Sequence, residues 1–358
     1  MKKIEDFLNE YTEHETIRLH KMALNKYFEY HKQKPDSYVK DIRSLNNGQR
    51  NKITDQYEKD ITNYRNHLHE EEYSPKSIHN YISSVKMFLE HHRIDLDKAY
   101  WKKLKKRGAE TYNESICDFK IPKPSELKQI LTHANTKPRA MFLLQSSSGM
   151  RIGEVCNLRY IKDDPDNSDI DLRCEYPRIK LRKTKSKAKG RTRCSIEAKE
   201  AILEFIKTRK KNDDQRLFQC TPKSARIMWN RLLIKSGYAK KDKSGKYPRN
   251  LMGTHSLRRY FRTEFSKHSN DLAAYLMNQR TGLDRKYRDW SNEYLDEEYS
   301  KGVGNLLVFQ KNVTDERLNG MQDQLDEKDG QIKELQNNLD RLMRNALIQK
   351  LLEEPNEK

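Results

Sequence analysis

The chain has 358 residues, with 72 Lys and Arg against 53 Asp and Glu, and therefore a net charge of +19. It is longer than one ordinary domain, and its 19 Tyr, 10 Phe and 3 Trp exceed what a disordered chain contains. Its apolar runs are far shorter than the roughly 20 residues of a membrane span. A membrane protein is therefore not predicted. No phosphate-binding P-loop motif occurs, so an ATP-driven P-loop enzyme is not predicted either.

The charge is concentrated in the first 310 residues, which carry +22, while residues 311–354 carry −3. A body this basic predicts binding to a polyanion, and the usual one is nucleic acid; a generally lysine-rich composition is the alternative. The five cysteines are odd in number, scattered and without a C-x-x-C pair. This pattern favours a reducing compartment, which we take to be the cytoplasm.

Residues 1–107 are predicted to form a helical domain. Ser74-Pro75 is typical of a helix start, and the apolar residues from Ile78 to Leu89 follow at spacings of three and four. The region ends in a basic run that suits phosphate contact, although a solvated helix face would look the same: Lys102, Lys103, Lys105, Lys106 and Arg107. A linker is predicted over 108–123.

Residues 124–309 are predicted to form a second domain. Helices are expected over 124–133 and 138–148, and a third follows Arg151. The period then changes, because residues 178–181 alternate polar and apolar side chains as a half-buried strand does. Residues 183–190 form a basic hairpin tip, 191–196 the return strand, and helices resume at 197–210, 222–237, 255–267, 271–279 and 293–301. The predicted fold is mainly α with one small antiparallel β-sheet.

Residues 310–354 show a heptad pattern. Mostly apolar positions recur alternately three and four residues apart from Leu318 to Gln349, with charges between them. This spacing predicts a C-terminal coiled coil that pairs subunits; a single helix packed on its own domain is the alternative.

Three local signals follow one another in the second domain. The first is Ser148-Gly149-Met150-Arg151-Ile152-Gly153-Glu154, the second is the lysine-rich hairpin, and the third is His255-Ser256-Leu257-Arg258. A segment with several tyrosines comes about thirty residues later. No single motif is decisive, but the order, in a basic body, resembles the tyrosine recombinase (phage integrase) family over residues 74–309. The stretches 276–284 and 297–299 resemble archaeal members in particular.

The resemblance implies a site-specific DNA recombinase or integrase of mobile elements, with a helical core-binding domain ahead of the catalytic domain. Such an enzyme breaks and rejoins DNA through a covalent 3′-phosphotyrosyl intermediate and needs neither metal nor ATP. Two arginines suit this chemistry because their charged N–H groups hold the non-bridging phosphate oxygens. The catalytic set that the resemblance implies is Arg151, Lys185, His255, Arg258, Gln279 and Tyr287, with Glu154 as a support. Further DNA contacts are expected from Lys102, Lys103, Lys105, Lys106, Arg107, Lys183, Lys187 and Arg191.

Two positions leave alternatives open. Asn278-Gln279 stands where the family usually has Gly-His, and glutamine can donate a hydrogen bond but cannot carry a charge. Tyr287 lies at the spacing expected for the nucleophile, with Tyr294 and Tyr299 as alternatives. Lys183 and Lys187 are likewise alternatives to Lys185 as the acid for the leaving oxygen.

The implied partner is double-stranded DNA, bound by a homo-oligomer that is a tetramer on paired sites. Two other functions remain open: a recombinase fold kept for DNA binding after loss of activity, and a type IB topoisomerase-like nicking-closing enzyme. The acidic stretch 163–169 lacks the central Gly and closing Glu of an EF-hand, so no metal site is predicted there.

Overall fold

The structure is a computed structural model that describes residues 2–40, 46–104, 120–162, 164–182, 190–209, 214–242, 249–279 and 290–309, together with residues 328, 331, 332 and 336. The chain divides into two compact units. The first contains residues 1–120 and 239–251, and the second contains residues 121–238 and 252–358. Within the described ranges, no helix combines the length and the apolar character needed to cross a bilayer.

The first unit is built from helices around an aromatic core. Its helices are α1 (Lys2–Leu8), α2 (His14–His31), α3 (Pro35–Tyr38), α4 (Asn47–Glu70) and α5 (Pro75–His91). The side chain of Ser74 accepts a hydrogen bond from the N–H of Ser77, as its place before Pro75 predicts. Residues 98–104 are helical as well. The strands β4 (Lys241–Asp242) and β5 (Arg249–Asn250) pair antiparallel in this unit.

Buried polar groups in this core are paired with one another. The hydroxyls of Tyr27 and Tyr38 lie 2.5 Å apart, and Tyr38 donates to the carboxylate of Asp60 at 3.0 Å. Asp60 also accepts from the amide of Gln56 at 2.8 Å. Pairing removes most of the cost of burying these oxygens, so the network selects one arrangement of α2, α3 and α4.

The second unit combines helices with a three-stranded sheet. Its elements are α6 (Pro124–Thr132), α7 (Thr136–Ser148), α8 (Ile152–Cys156), β1 (Ile170–Asp171), β2 (Arg178–Leu181), β3 (Gly190–Arg193), α9 (Ile196–Thr208), α10 (Pro222–Lys235), α11 (Thr254–Phe265), α12 (Asn270–Leu276) and α13 (Asn292–Val303), followed by a 3₁₀ turn at Gly304–Leu306. The predicted fold class, mainly α with a small antiparallel sheet, is confirmed. The predicted domain boundaries at 107/108 and 123/124 stay predictions, since residues 105–119 lie outside the described part.

Helix α7 is the centre of the second unit, and every residue from Ala140 to Ser148 is buried. It contacts α9 most extensively and also α8, α10, α11 and β3. The three consecutive serines at its end are tolerated in this dry position because their hydroxyls bond to the helix itself. Ser146 and Ser147 donate to the carbonyl of Leu143, and Ser148 donates to that of Leu144.

The sheet has the order β1-β2-β3 and is antiparallel throughout. The last pair of the β2–β3 hairpin is Leu181 with Gly190, so the basic tip of residues 183–189 is held at both ends. The return strand was predicted to run to Ile196, but it ends at Arg193. The reason is that the hydroxyl of Ser195 accepts the N–H of Ala198 and starts α9 there.

A buried carboxylate fixes the C-terminal end of the second unit. Glu197, in the first turn of α9, accepts the backbone N–H of Val308 at 2.8 Å and that of Phe309 at 2.6 Å. Both bonds are charge-assisted and join parts of the chain more than 110 residues apart. The negative charge also sits at the positive end of the α9 dipole.

We expect Glu197→Gln to lower the free energy of unfolding by about 1–3 kcal/mol. Each carboxylate oxygen accepts one backbone N–H, and the amide replaces one of these oxygens by an NH₂ group that would face an N–H. Chemical denaturation measures the change. Glu200→Gln is the matched control, since Glu200 is exposed on the same helix. Equal effects of the two substitutions would contradict this role.

Candidate functional site

The turn between α7 and α8 depends on a glycine. Gly149 ends α7 with φ +67°, the left-handed region that favours glycine, and its N–H bonds to the carbonyl of Gln145 at 3.1 Å. A Cβ at this position would lie 2.5 Å from a ring carbon of Phe261 and 2.8 Å from the side chain of Met277. The close approach brings α11 and the end of α12 against the turn that carries Arg151.

One carboxylate organises the two arginines predicted for the site. Glu154 accepts the backbone N–H of Arg151 at 2.8 Å and its guanidinium at 2.9 Å, closing a cap at the start of α8. The Oε2 atom of Glu154, which accepts the backbone N–H, also lies 3.9 Å from the guanidinium of Arg258. The structure therefore brings Arg151 and Arg258 together around one buried negative charge.

Arg258 is a cation buried inside the protein. Its side chain is 1% exposed, and it donates to the carbonyls of Gly149 at 2.5 Å and Met277 at 2.7 Å. Burial lowers the pKa of Arg258 to about 10, the charge of Arg151 acts in the same direction, and Glu154 opposes both. The group stays charged at neutral pH, so the site holds a fixed positive charge with a fixed orientation.

His255 lies at the start of α11, three residues before Arg258, and its side chain is exposed at the surface. Partial desolvation of its ring lowers its pKa, and the positive charges of Arg259, Arg258 and Arg151 add to the effect. The ring is therefore neutral at pH 7 and able to accept a proton.

Arg151, Glu154 and His255 line one cleft of about 450 Å³, together with Arg226 on α10. Arg226 was not singled out in the sequence analysis, because nothing local distinguishes it from the many other basic residues of surface helices. Its exposed position on this cleft places a second arginine beside Arg151 on one concave surface.

The end of α12 places Asn278 beside the hairpin. Asn278 adopts φ 53°. The next residue, Gln279, has an exposed side chain, and its backbone N–H donates to the carbonyl of Ala274. The side chain of Asn278 lies 3.0 Å from where a Cβ on Gly190 would stand. The base of the lysine-rich hairpin is therefore adjacent to Asn278, the residue that precedes Gln279.

Strand β3 connects the sheet to the segments on both sides of residues 280–289. Arg191, predicted as a DNA contact, donates to the hydroxyl of Tyr275 at 3.2 Å and to the carbonyl of Trp290 at 2.9 Å. The rings of Tyr275 and Trp290 lie 4.7 Å apart. Arg191 thus holds the end of α12 next to the start of α13, which gives it a structural task within the domain.

A second arginine of β3 anchors α13. Arg193 is 1% exposed and forms an ion pair with Asp296, which also accepts the guanidinium of Arg178 at 2.5 Å. Arg193 donates in addition to the carbonyl of Asn292 at 3.2 Å. Sequence analysis missed Asp296, because a single acidic residue on a helix carries no signal of the two cations it will meet.

The alternative tyrosines lie in different environments. Tyr299 is completely buried, and its hydroxyl donates to the carbonyl of Ser147 at 2.7 Å. Burial raises its pKa far above the usual value, which suits a packing residue and opposes ionisation. Tyr294 is 42% exposed. Tyr287 lies outside the described residues.

Several other predicted residues also lie outside the described part: Lys105, Lys106, Arg107, Lys183, Lys185 and Lys187. Lys102 and Lys103 are exposed in the helical stretch of residues 98–104. The described part of the acidic stretch is a turn before β1, where the carboxylate of Asp169 accepts the N–H of Arg159 at 2.9 Å. The described residues contain no group of three or more His, Cys, Asp or Glu side chains placed to hold a metal ion.

The phage integrase family matches residues 122–277. No curated protein sequence matches the chain.

Among solved structures, a lambda integrase(75–356) dimer bound to a COC′ core site is 14% identical, covers 81% of this chain and 98% of that chain, and gives a TM-score of 0.52. The XerH site-specific recombinase bound to difH substrate is 17% identical, with coverages of 79% and 78% and a TM-score of 0.50. A lambda integrase tetramer bound to a Holliday junction is 12% identical, with coverages of 81% and 79% and a TM-score of 0.50. These likenesses show a common fold.

We expect Gly149→Ala to destabilise the protein by about 2 kcal/mol or more, since the methyl group meets two buried side chains at a positive φ. Thermal unfolding checks this. Gly153→Ala is the matched control, because a Cβ there meets nothing within 4 Å and Gly153 lies in helix α8. A Gly149→Ala protein as stable as the control would show that the turn is not constrained in this way.

Proposed function

The chain carries a phage integrase family domain over residues 122–277, and from this premise we propose that it is a site-specific DNA recombinase that works through a covalent 3′-phosphotyrosyl intermediate. The observation that carries the proposal is the shared carboxylate. Glu154 holds Arg151 at 2.9 Å and lies 3.9 Å from the buried Arg258, at a cleft that His255 also lines.

Arg151 and Arg258 are proposed to bind the scissile phosphate. In phosphoryl transfer the charge on the phosphate oxygens must be stabilised, and fixed donors in a poorly hydrated site do this without reorganising. Arg258 is already desolvated and held by two carbonyls, so its orientation is set before DNA arrives. Arg151 is partly exposed and is held to α8 by Glu154, which positions it without neutralising both cations.

Tyr287 is proposed as the nucleophile and Lys185 as the acid for the leaving 5′-oxygen. The hairpin that contains Lys185 starts and ends at the pair Leu181 and Gly190, and Gly190 adjoins Asn278. The segment that contains Tyr287 starts after Gln279 and ends before Trp290, and Arg191 ties its two flanks. These anchor points support a common site for both groups.

Proton transfer on the tyrosine side is proposed for His255, whose lowered pKa keeps the ring neutral. Gln279 is proposed to donate a hydrogen bond to a phosphate oxygen. Since the phosphotyrosyl bond retains the energy of the broken phosphodiester, the reaction requires no ATP and, with two arginines present, no metal ion.

Double-stranded DNA is the proposed substrate, which places the protein in the cytoplasm. The basic body of +22 supplies the affinity, with proposed contacts from Lys102, Lys103, Lys105, Lys106, Arg107, Lys183, Lys187 and Arg191. Since similar folds are seen as a dimer on a core site and a tetramer on a Holliday junction, we propose a tetramer on paired sites. The tail of residues 310–354 is proposed to pair subunits as a coiled coil.

We expect Tyr287→Phe to abolish the covalent protein–DNA adduct while folding and DNA binding persist, because only one oxygen is removed. The assay is a nicked suicide substrate followed by denaturing gel electrophoresis, with EDTA present to test independence of metal. An inactive DNA-binding protein would form no adduct in the wild type either.

The two other tyrosines are the matched controls for this test. Tyr299→Phe should keep the adduct but lower stability, since it removes the buried bond to Ser147. Tyr294→Phe should keep both the adduct and the stability of the wild type, because the side chain of Tyr294 is exposed. An adduct that survives Tyr287→Phe and vanishes in Tyr294→Phe would move the nucleophile to Tyr294.

The pH dependence of cleavage should follow His255. Its neutral form accepts the proton and its pKa lies below the usual value, so the rate should be constant from pH 8 to 7 and fall only at lower pH. We expect His255→Gln to be slower and to lack this acid limb. The measurement is the apparent second-order rate of adduct formation at subsaturating protein. A rate that already declines between pH 8 and 7 would contradict the role of His255. So would a His255→Gln protein whose rate falls at low pH in the same way as that of the wild type.

Deletion of residues 311–358 should leave cleavage nearly intact but weaken self-association and recombination between two sites. Ile332, a seam position of the heptad pattern, is helical and 52% exposed, and a partner helix would bury it. Ile332→Asp should reproduce the deletion, and Gln331→Asp, on the neighbouring exposed position, should not. Analytical ultracentrifugation measures self-association, and a two-site assay measures recombination. If the deletion variant keeps the oligomeric state of the full chain, the tail does not assemble the subunits.

A further inference from the structure

Two buried cysteines from separate parts of the second unit meet, one in α8 and one just before α10. The sulfur atoms of Cys156 and Cys220 lie 3.8 Å apart, although the residues are 64 positions apart in the chain. Both are buried, Cys156 completely and Cys220 with 8% of its surface exposed. Of the cysteines in the described ranges, the other two, Cys174 and Cys194, have no such sulfur neighbour.

We propose that Cys156 and Cys220 are a modification site, at which oxidation forms a reversible disulfide between α8 and the residue before the cap of α10. A disulfide requires sulfur atoms about 2.05 Å apart, so the two must approach by somewhat under 2 Å. Rotation of both side chains, with a small shift of the short helix α8, provides a movement of this size.

The local electrostatics favour the reaction at Cys220. The hydrogen bond with Cys156 lowers the pKa of Cys220 below the usual thiol value, the cations of Lys137 and Arg216 add to this, and burial opposes it. A thiolate is the reactive form of cysteine, and Cys220 is also the more exposed of the two residues. Cys156 is then within reach as the resolving thiol.

The oxidant is a peroxide, and the atoms balance in two steps. The Cys220 thiolate attacks the O–O bond of hydrogen peroxide, giving a sulfenic acid and a hydroxide that becomes water. The sulfur of Cys156 then attacks the sulfenic sulfur, forming the S–S bond and releasing a second water. Two thiols lose two protons and two electrons, and one peroxide gives two waters. A dithiol reductant reverses the change.

The crosslink would join the two walls of the cleft. Helix α8 follows Arg151 directly, and α10 carries Arg226, both of which line that cleft. A covalent tie here fixes the distance between these walls and closes a long loop, which restricts the unfolded chain.

The test uses the full reduced chain, treated in its folded state with hydrogen peroxide and then alkylated in denaturant. Trypsin releases residues 152–159 with Cys156 and residues 217–223 with Cys220. Mass spectrometry should detect these two peptides joined, and a dithiol should separate them. The crosslinked protein should unfold about 5–15 °C higher than the reduced protein.

Cys220→Ser should abolish both the joined peptide and the gain in unfolding temperature, whereas Cys174→Ser, the control, should keep both. The proposal is overturned if peroxide leaves Cys156 and Cys220 unjoined in the folded wild type. It is also overturned if the joined peptide forms only when the chain is oxidised in denaturant. Because the decisive measurement is made on the wild type, it does not depend on how well the variants fold.

Discussion

The second unit depends on the burial of one guanidinium. Arg258 is 1% exposed, and a cation removed from water must be stabilised by groups that replace its hydration. The carbonyls of Gly149 and Met277 and the carboxylate of Glu154 do so, and they come from two separate segments, residues 149–154 and the end of α12. Placing Arg258 therefore determines where the turn after α7, the start of α8 and the end of α12 must lie.

Strand β3 positions the described residues that lie next to two segments of the chain, residues 183–189 and 280–289. Each of its four residues has a separate contact: Gly190 with Asn278, Arg191 with Tyr275 and Trp290, Thr192 with the carbonyl of Ser148, and Arg193 with Asp296. A short strand thus links the hairpin, the central helix α7 and α13. The ion pair of the buried Arg193 with the partly exposed Asp296 limits how far α13 can move, because separating the two would leave the charge of Arg193 buried alone.

The polar residues of this unit divide into those that are buried and hold the fold and those whose side chains reach solvent. Tyr299, Arg193 and Glu197 are buried and have bonds within the domain. His255, Gln279 and Arg226 are exposed, and Arg151 is intermediate, with one side held by Glu154. Accessible cationic groups next to a fixed buried cation form a surface suited to a phosphate.

The sequence by itself determined the helix starts, the alternating strand and the order of the motifs, since these are local signals. Ser74 caps α5 as its place before Pro75 predicts, and residues 178–181 form a strand as their alternation predicts. The juxtaposition of the Gly149–Glu154 turn with the helix of His255 and Arg258 followed from the resemblance. The roles assigned to these residues remain proposals.

Only the tertiary structure decided which basic residues face solvent and which are used internally. Arg191 stays a predicted DNA contact, and its guanidinium in addition binds Tyr275 and Trp290, 84 and 99 positions away, which no local signal indicates. The same holds for Asp296 between Arg178 and Arg193, for the burial of Tyr299, and for Arg226 at the cleft. No short stretch of sequence encodes such pairings, because each depends on how segments about a hundred residues apart pack against one another.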